Sequence, residues 1–253
     1  MVVRDDVTAW LNELLEPERM ADRSLNGLQV YGRDTVTGIA LGVDACLDLF
    51  TRAAEQNLNY VIVHHGFFWG SSFAITPMWG ERMRMLLNRG MSLYACHLPM
   101  DAHPEAGHNA GIADALGLED RIPFGMYKGN RIGFAGNLAK PTDIGDMEAR
   151  LISLFGKDIQ LLNFGPDRIH RVAVVSGDAC DMEMLEEVRE SGAQLFITGE
   201  PDHASYHIIR ELELNVAFCG HYQTETTALK NLVPQLEAAF PVPVRFIDIP
   251  TGF

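Results

Sequence analysis

Apolar residues recur along this chain in two alternating rhythms. Spacings of three and four residues mark one face of a helix, whereas short unbroken aliphatic runs mark strands. The first rhythm predicts helices over residues 7–15, 45–55, 79–88, 108–116, 144–155, 182–190, 204–212 and 224–239. The second predicts strands over 38–43, 60–64, 92–96, 131–138, 159–163, 172–176, 194–198, 216–219 and 244–249. Thr142, followed by Asp143 and Asp146, and Thr224, which opens TETTALKNL, supply side chains that start helices. Runs such as YVIV and VAVV lack polar alternation, as expected of strands covered on both faces. Strands alternating with helices predict an α/β fold with mostly parallel sheets.

The same patterns occur twice. Sliding the chain by 134 residues aligns Asp44-Ala45-Cys46 with Asp178-Ala179-Cys180 and, without a gap, VIV (61–63) with LFI (195–197). Each copy then turns at a polar triplet, His64-His65-Gly66 in one and Thr198-Gly199-Glu200 in the other. The next strands, LYAC (93–96) and VAFC (216–219), align after a deletion of 11 residues, and a histidine follows each (His97, His221). This order predicts an internal duplication: two related α/β lobes, separate or intertwined. The lobes are assigned to residues 1–126 and 127–253, with the C-terminal part able to pack on the first lobe. The Gly-rich segment FGMYKGNRIG (124–133) has the composition of a connection between them. The competing reading is two unrelated α/β units that share generic patterning.

Composition narrows the class. With 253 residues, 47% of them hydrophobic, there is chain enough for a sizeable core, and disordered or collagen-like states are excluded. No apolar run approaches the roughly 18–20 residues of a membrane helix. The N-terminal stretch interrupts its apolar pattern with acids and lacks a signal-peptide core, so export is not expected. Cys46, Cys96, Cys180 and Cys219 sit in apolar runs without paired metal spacing and read as reduced core cysteines of a cytoplasmic protein. A net charge of −14 argues against nucleic acid as the main partner.

In parallel α/β sheets, ligands collect beyond the carboxyl ends of the strands. Three predicted strand ends carry imidazoles and carboxylates there: His64-His65, then His97 with Asp101, then His221 with Glu225. Adjacent residues of a strand point to opposite faces, so His64 and His65 are suited to two neighbouring ions rather than one. His221 and Glu225, four apart, share a side if a helix continues the chain, and Glu225 can bridge two ions. Pro99 argues for a loop rather than a helix around Asp101. Imidazole with carboxylate and no thiolate suits two divalent ions such as Zn, Mn, Fe, Co or Ni.

Other features read more plainly. His103 and His108 are taken as loop and helix-start residues, His170 as exposed, and His203 with His207 as a surface pair. Phe67, Phe68 and Trp69 can either wall a pocket or anchor a buried loop. EMLEEVRE (183–190) reads as a solvated helix face. Dinucleotide, P-loop and nucleophile-elbow motifs are absent.

At NGLQVYG (26–32), GVDAC (42–46), VIVHHGFFW (61–69), HLPMDAHPEAGHNAGIADALGL (97–118) and GHYQTE (220–225), the chain resembles a known family. It is that of the NGG-interacting-factor-like dinuclear metal-centre proteins, often labelled GTP cyclohydrolase type-2 homologues. The resemblance implies two α/β lobes with a two-metal site between them, in a toroidal homohexamer. It implies His64, His65, Asp101, His221 and Glu225 as metal ligands, with Glu225 the bridge. It also matches His97, whose role is open between ligand, neighbour of a ligand and proton shuttle. The expectation is a dinuclear metal-dependent hydrolase of a small nucleotide-like or heterocyclic substrate, with a metal-bridging hydroxide as nucleophile and His97 as candidate acid/base. The alternative is a metal-binding regulatory or metal-handling hexamer without turnover.

Overall fold

The computed structural model describes all 253 residues. In chain order the elements begin β1 (Val2–Val3), α1 (Arg4–Leu15), β2 (Gly27–Val30), β3 (Thr35–Val36), β4 (Ile39–Asp44), α2 (Leu47–Glu55), β5 (Tyr60–His65), α3 (Pro77–Arg89) and β6 (Ser92–Ala95). They continue with α4 (Leu98–Asp101), α5 (His108–Ala115), β7 (Leu118–Tyr127), β8 (Asn130–Asp143), α6 (Ile144–Phe155), β9 (Gln160–Asn163), β10 (Arg168–Val174) and α7 (Met182–Ser191). The last are β11 (Leu195–Thr198), α8 (Ser205–Glu211), β12 (Asn215–Phe218), α9 (His221–Thr224), α10 (Thr227–Ala239) and β13 (Val244–Phe246). The fold is α/β. Two compact units divide the chain: Met1–Met100 with Ala228–Ile249, and Asp101–Thr227 with Pro250–Phe253.

In the first unit a five-stranded sheet runs β13-β4-β5-β6-β2. Its first four strands are parallel, and β2 closes the edge antiparallel to β6. The unbroken apolar runs of β4 and β5 are buried nearly end to end, as two-sided cover requires. Helix α2 starts where the Cys46 sulfur accepts from the Leu49 N–H at 3.4 Å, and it buries Leu49, Phe50 and Ala53. These pack with Val61, Val63, Leu93 and Leu86 into one core cluster. Burial of each such side chain stabilises by about 1.5–3 kcal/mol before conformational entropy is counted.

In the second unit a six-stranded sheet runs β7-β8-β10-β11-β12-β9. Strands β10, β11 and β12 are parallel, and β8 and β9 flank them antiparallel. Asp143 caps α6 by accepting from Gly145 N–H at 3.0 Å, and Asp181 caps α7 by accepting from Met184 N–H at 2.9 Å. Met147 and Leu151 of α6 join Ile112, Val172, Val174 and Ile197 in this unit's core.

The repeat seen in the sequence is a repeat of topology. Strands β4-β5-β6 are linked through α2 and α3, and β10-β11-β12 through α7 and α8; in both, an antiparallel edge strand lies beside the third. Other expectations change. Residues 124–133 are not an unpaired connection but part of a β7–β8 hairpin, paired from Leu118↔Leu138 to Tyr127↔Asn130. Its turn residues Lys128 and Gly129 both have positive φ, 48° and 84°, the geometry that matches strand twist in two-residue hairpins. The helix expected over 224–239 begins instead at Thr227, as α10, and Thr224 ends the separate short α9. Pro99 does not prevent a helix, because it lies in the first turn of the short α4, where its missing N–H has no acceptor to lose.

None of the four cysteines forms a disulfide. Burial pushes the Cys180 thiol up to about 11 and the Cys219 thiol up to about 12, so both are poor nucleophiles at neutral pH. No helix is long and apolar enough to cross a membrane.

Gly133 of β8 lies so close to β10 that a Cβ there would strike the Val174 carbonyl oxygen. Gly133→Ala is therefore expected to cost about 1–3 kcal/mol in chemical denaturation. At Gly145 a Cβ would meet only Asp143 Oδ1 at 3.4 Å, so Gly145→Ala should change stability by less than about 1 kcal/mol. Equal losses in the two variants would refute this account of the β8–β10 approach.

Candidate metal centre

Strand β5 is held between β4 and β6, so its last residues, His64 and His65, emerge at the carboxyl edge of the first sheet. The chain can leave the strand there because residue 66 is glycine. A Cβ on it would lie 2.5 Å from both Ala95 Cβ and the Gln29 amide oxygen. Gln29 in turn accepts from the Phe67 N–H at 2.7 Å, so NGLQ and HHG form one local structure.

The imidazoles in this unit are oriented alike. His64 is fully buried, and its Nδ1 lies 3.0 Å from the Cys96 carbonyl, which can only accept. His65 Nδ1 meets Asp44 Oδ1 at 2.9 Å, and His97 Nδ1 meets both oxygens of Asp22 at 3.1 Å. Each Nδ1 therefore carries the proton, and each Nε2 keeps the lone pair that a metal or a substrate proton needs. Ligand-type atoms of His64, His65 and His97 lie within 4.8 Å of one another.

Asp22 is the polar hub behind His97. Its side chain is 3% exposed and accepts from Ser24 N–H at 3.1 Å, Asn26 Nδ2 at 3.1 Å and Leu98 N–H at 3.0 Å. Burial opposes its ionisation, but His97, Asn26 and Ser24 outweigh that and hold it well below the usual carboxylate range. Asn26 also accepts from the His97 N–H at 2.9 Å. The aromatic triplet divides between its two expected roles. Phe67 is a core anchor, edge-on to Phe50 and Trp79, whereas the Trp69 ring lies 5.0 Å from that of His97.

In the second unit Asp101 is buried and accepts from Ser176 Oγ at 2.9 Å. Asn109 donates to the Asp101 carbonyl at 3.3 Å and accepts from Ser176 N–H at 2.7 Å, which fixes both residues. His221 opens α9, so residue 225 returns to the same side one turn later, with His221 Nε2 3.1 Å from Glu225 Oε1. His221 Nδ1 meets Glu200 Oε1 at 2.7 Å. Burial alone would lower the His221 pKa, but the carboxylates of Glu225 and Glu200 raise it to about 9. Gly177, at φ 69°, lies under this pair: a Cβ on it would strike Glu225 Oε1 and come within 3.4 Å of His221 Nε2.

Of the remaining histidines, His108 belongs with Asp101, their ligand-type atoms lying within 4.8 Å of each other, and the others fall outside these groups. His103 Nδ1 accepts from Ala106 N–H at 2.8 Å and shapes a turn, and His170, His203 and His207 are exposed. His108 does open a helix, but it is fully buried. Sequence reasoning passed over Asp22, Asn26, Glu200, Ser176 and Asn109. Asn26 at the head of NGLQVYG and Glu200 in the repeat's polar triplet were the available signals. The residues present fit divalent metal: imidazoles with acceptors at Nδ1, carboxylates held by donors, no thiolate, and a glycine where a side chain would displace Glu225.

These features define an α/β protein whose strand ends carry histidine and acidic groups able to hold metal. The model of the Duf34/NIF3 (NGG1p interacting factor 3) family matches residues 2–252, and the chain belongs to that family. It is 41% identical to the GTP cyclohydrolase 1 type 2 homolog of Deinococcus radiodurans, over 98% of this chain and 94% of the relative. Its identity to the protein of that name from Archaeoglobus fulgidus is 39%, over 98% of each. Among solved structures, the protein TTHA1606 from Thermus thermophilus superposes with a TM-score of 0.89 at 37% identity, covering 99% of this chain and all of that one.

The Asp22 pKa lies below its ordinary 3.8, so its contribution to stability is present above that value and is lost as pH falls further. Urea titrations between about pH 2 and pH 7 should show the wild type losing stability on acidification more steeply than Asp22→Asn. Parallel acid limbs would count against Asp22 as the anionic hub.

Proposed function

We propose that the protein is a divalent-metal-dependent hydrolase acting on a small nucleotide-like or heterocyclic substrate. The observation that carries this reading is the common orientation of His64, His65, His97 and His221, each with Nδ1 at an acceptor. The name shared by the curated relatives, GTP cyclohydrolase 1 type 2 homolog, supports the reaction class.

In this reading His64, His65, Asp101, His221 and Glu225 would hold the divalent metal. Bound metal supplies Lewis-acid polarisation and lowers the pKa of water. The chain's own groups do the rest. Asp44 and Glu200 set the tautomers and ring orientations of His65 and His221. Ser176 and Asn109 hold Asp101 in place. His97 moves the proton through Nε2, and Asp22 stabilises the imidazolium formed when it accepts one. A homohexameric ring in the cytoplasm, with a small molecule rather than nucleic acid as partner, completes the proposal.

Metal analysis coupled to turnover of GTP and related heterocycles tests it. The purified protein should hold about two divalent ions per chain. His65→Ala should lose metal, and Gly177→Ala should bind it more weakly by about tenfold or more, because Glu225 is displaced. His97→Ala should retain metal and lose about 100- to 10,000-fold in kcat. Protein that holds no divalent metal, together with stability and turnover unaffected in His65→Ala, would sink the proposal.

A further inference from the structure

The second unit contains a cavity of about 530 Å³, within the usual range for small-molecule sites. Its wall includes Glu200, the carboxylate bonded to His221 Nδ1. Phe155, Ile159 and Phe218 give it apolar surfaces suited to a flat ring. Asp158, Glu200 and Gln223 give it acceptors, and no Lys, Arg or His lines it.

Gln223 Oε1, in a residue of this wall, is buried and makes no hydrogen bond, so the fold does not commit that amide oxygen. Its position also depends on Gly220, at φ 86°, because a Cβ there would strike that oxygen. The charge pattern then selects the ligand. Acceptors and anions without a cation favour ring N–H and amino groups and repel phosphate.

From this lining we infer that the cavity binds the flat, amino-bearing heterocyclic ring of the substrate and leaves any phosphate outside it. The inference deepens the hydrolase reading and rests on it for the word substrate. A ring seated here lies against Glu200, through which its binding reaches His221 by a single hydrogen bond.

Calorimetric titration of 2-aminopyrimidine, adenine, inorganic phosphate and tripolyphosphate into metal-loaded and metal-stripped protein tests it. The two amino heterocycles should bind both forms, and the phosphates should not bind the stripped form. Ile159→Trp, which fills the cavity, and Asp158→Lys, an exposed change that reverses its charge, should each weaken heterocycle binding on the order of tenfold or more. Thermal unfolding establishes that the variants are folded. Heterocycle binding that is absent, or unchanged in both folded variants, overturns the inference, as does phosphate binding to stripped protein that Ile159→Trp abolishes. Heterocycle binding without any turnover sinks the hydrolase reading alone; turnover with no heterocycle binding sinks the cavity assignment alone.

Discussion

A hydrogen bond to one nitrogen of a ring decides what the other nitrogen can do, and the chemistry of this protein depends on that constraint. Four histidines at strand ends each have an acceptor at Nδ1: a carbonyl for His64 and carboxylates for His65, His97 and His221. Without those acceptors the imidazoles would sample both tautomers and several ring orientations. With them, Nδ1 is committed in every case, and Nε2 is the atom left to meet another partner. The parallel sheets matter because they bring the ends of consecutive strands to one edge, where such pairs can form.

Close backbone approach is the second requirement, and glycine meets it. Gly66 lets Gln29 reach the turn after the two histidines, and Gly177 lets Glu225 fold back against His221. Both are sites where the space is already taken by a functional neighbour. Large side chains and ligand-type residues thus depend on positions with no side chain at all.

The strand-end histidines and the duplicated order of strands were legible because both follow from local patterning: apolar runs, a period of two or 3.6, and the residues at which runs stop. The hairpin β7–β8 was not. Strand β7 carries charges, a proline and mostly exposed positions, so neither alternation nor an apolar run marks it. Its turn is Lys-Gly rather than the Asn-Gly that signals such turns. Asp22 escaped for a different reason. Its partner His97 is 75 residues away, and a single buried carboxylate contact leaves no periodic trace. Gln29 and Asn26 lie within NGLQVYG, yet only their contacts with Phe67 and His97 explain why those residue types belong there.

The duplication is not faithful at the carboxylates. Asp44, at the end of the first parallel strand, orients His65 at the end of the second. In the other copy Asp178 is the repeat mate of Asp44, yet Glu200, which follows the second parallel strand, orients a histidine that follows the third. The two copies therefore share a scaffold without sharing a solution. Each ring is set by a different residue at a different place in its repeat, so a change in one copy leaves the other's setting intact. The repeated topology thus carries two separately adjustable dials rather than one used twice.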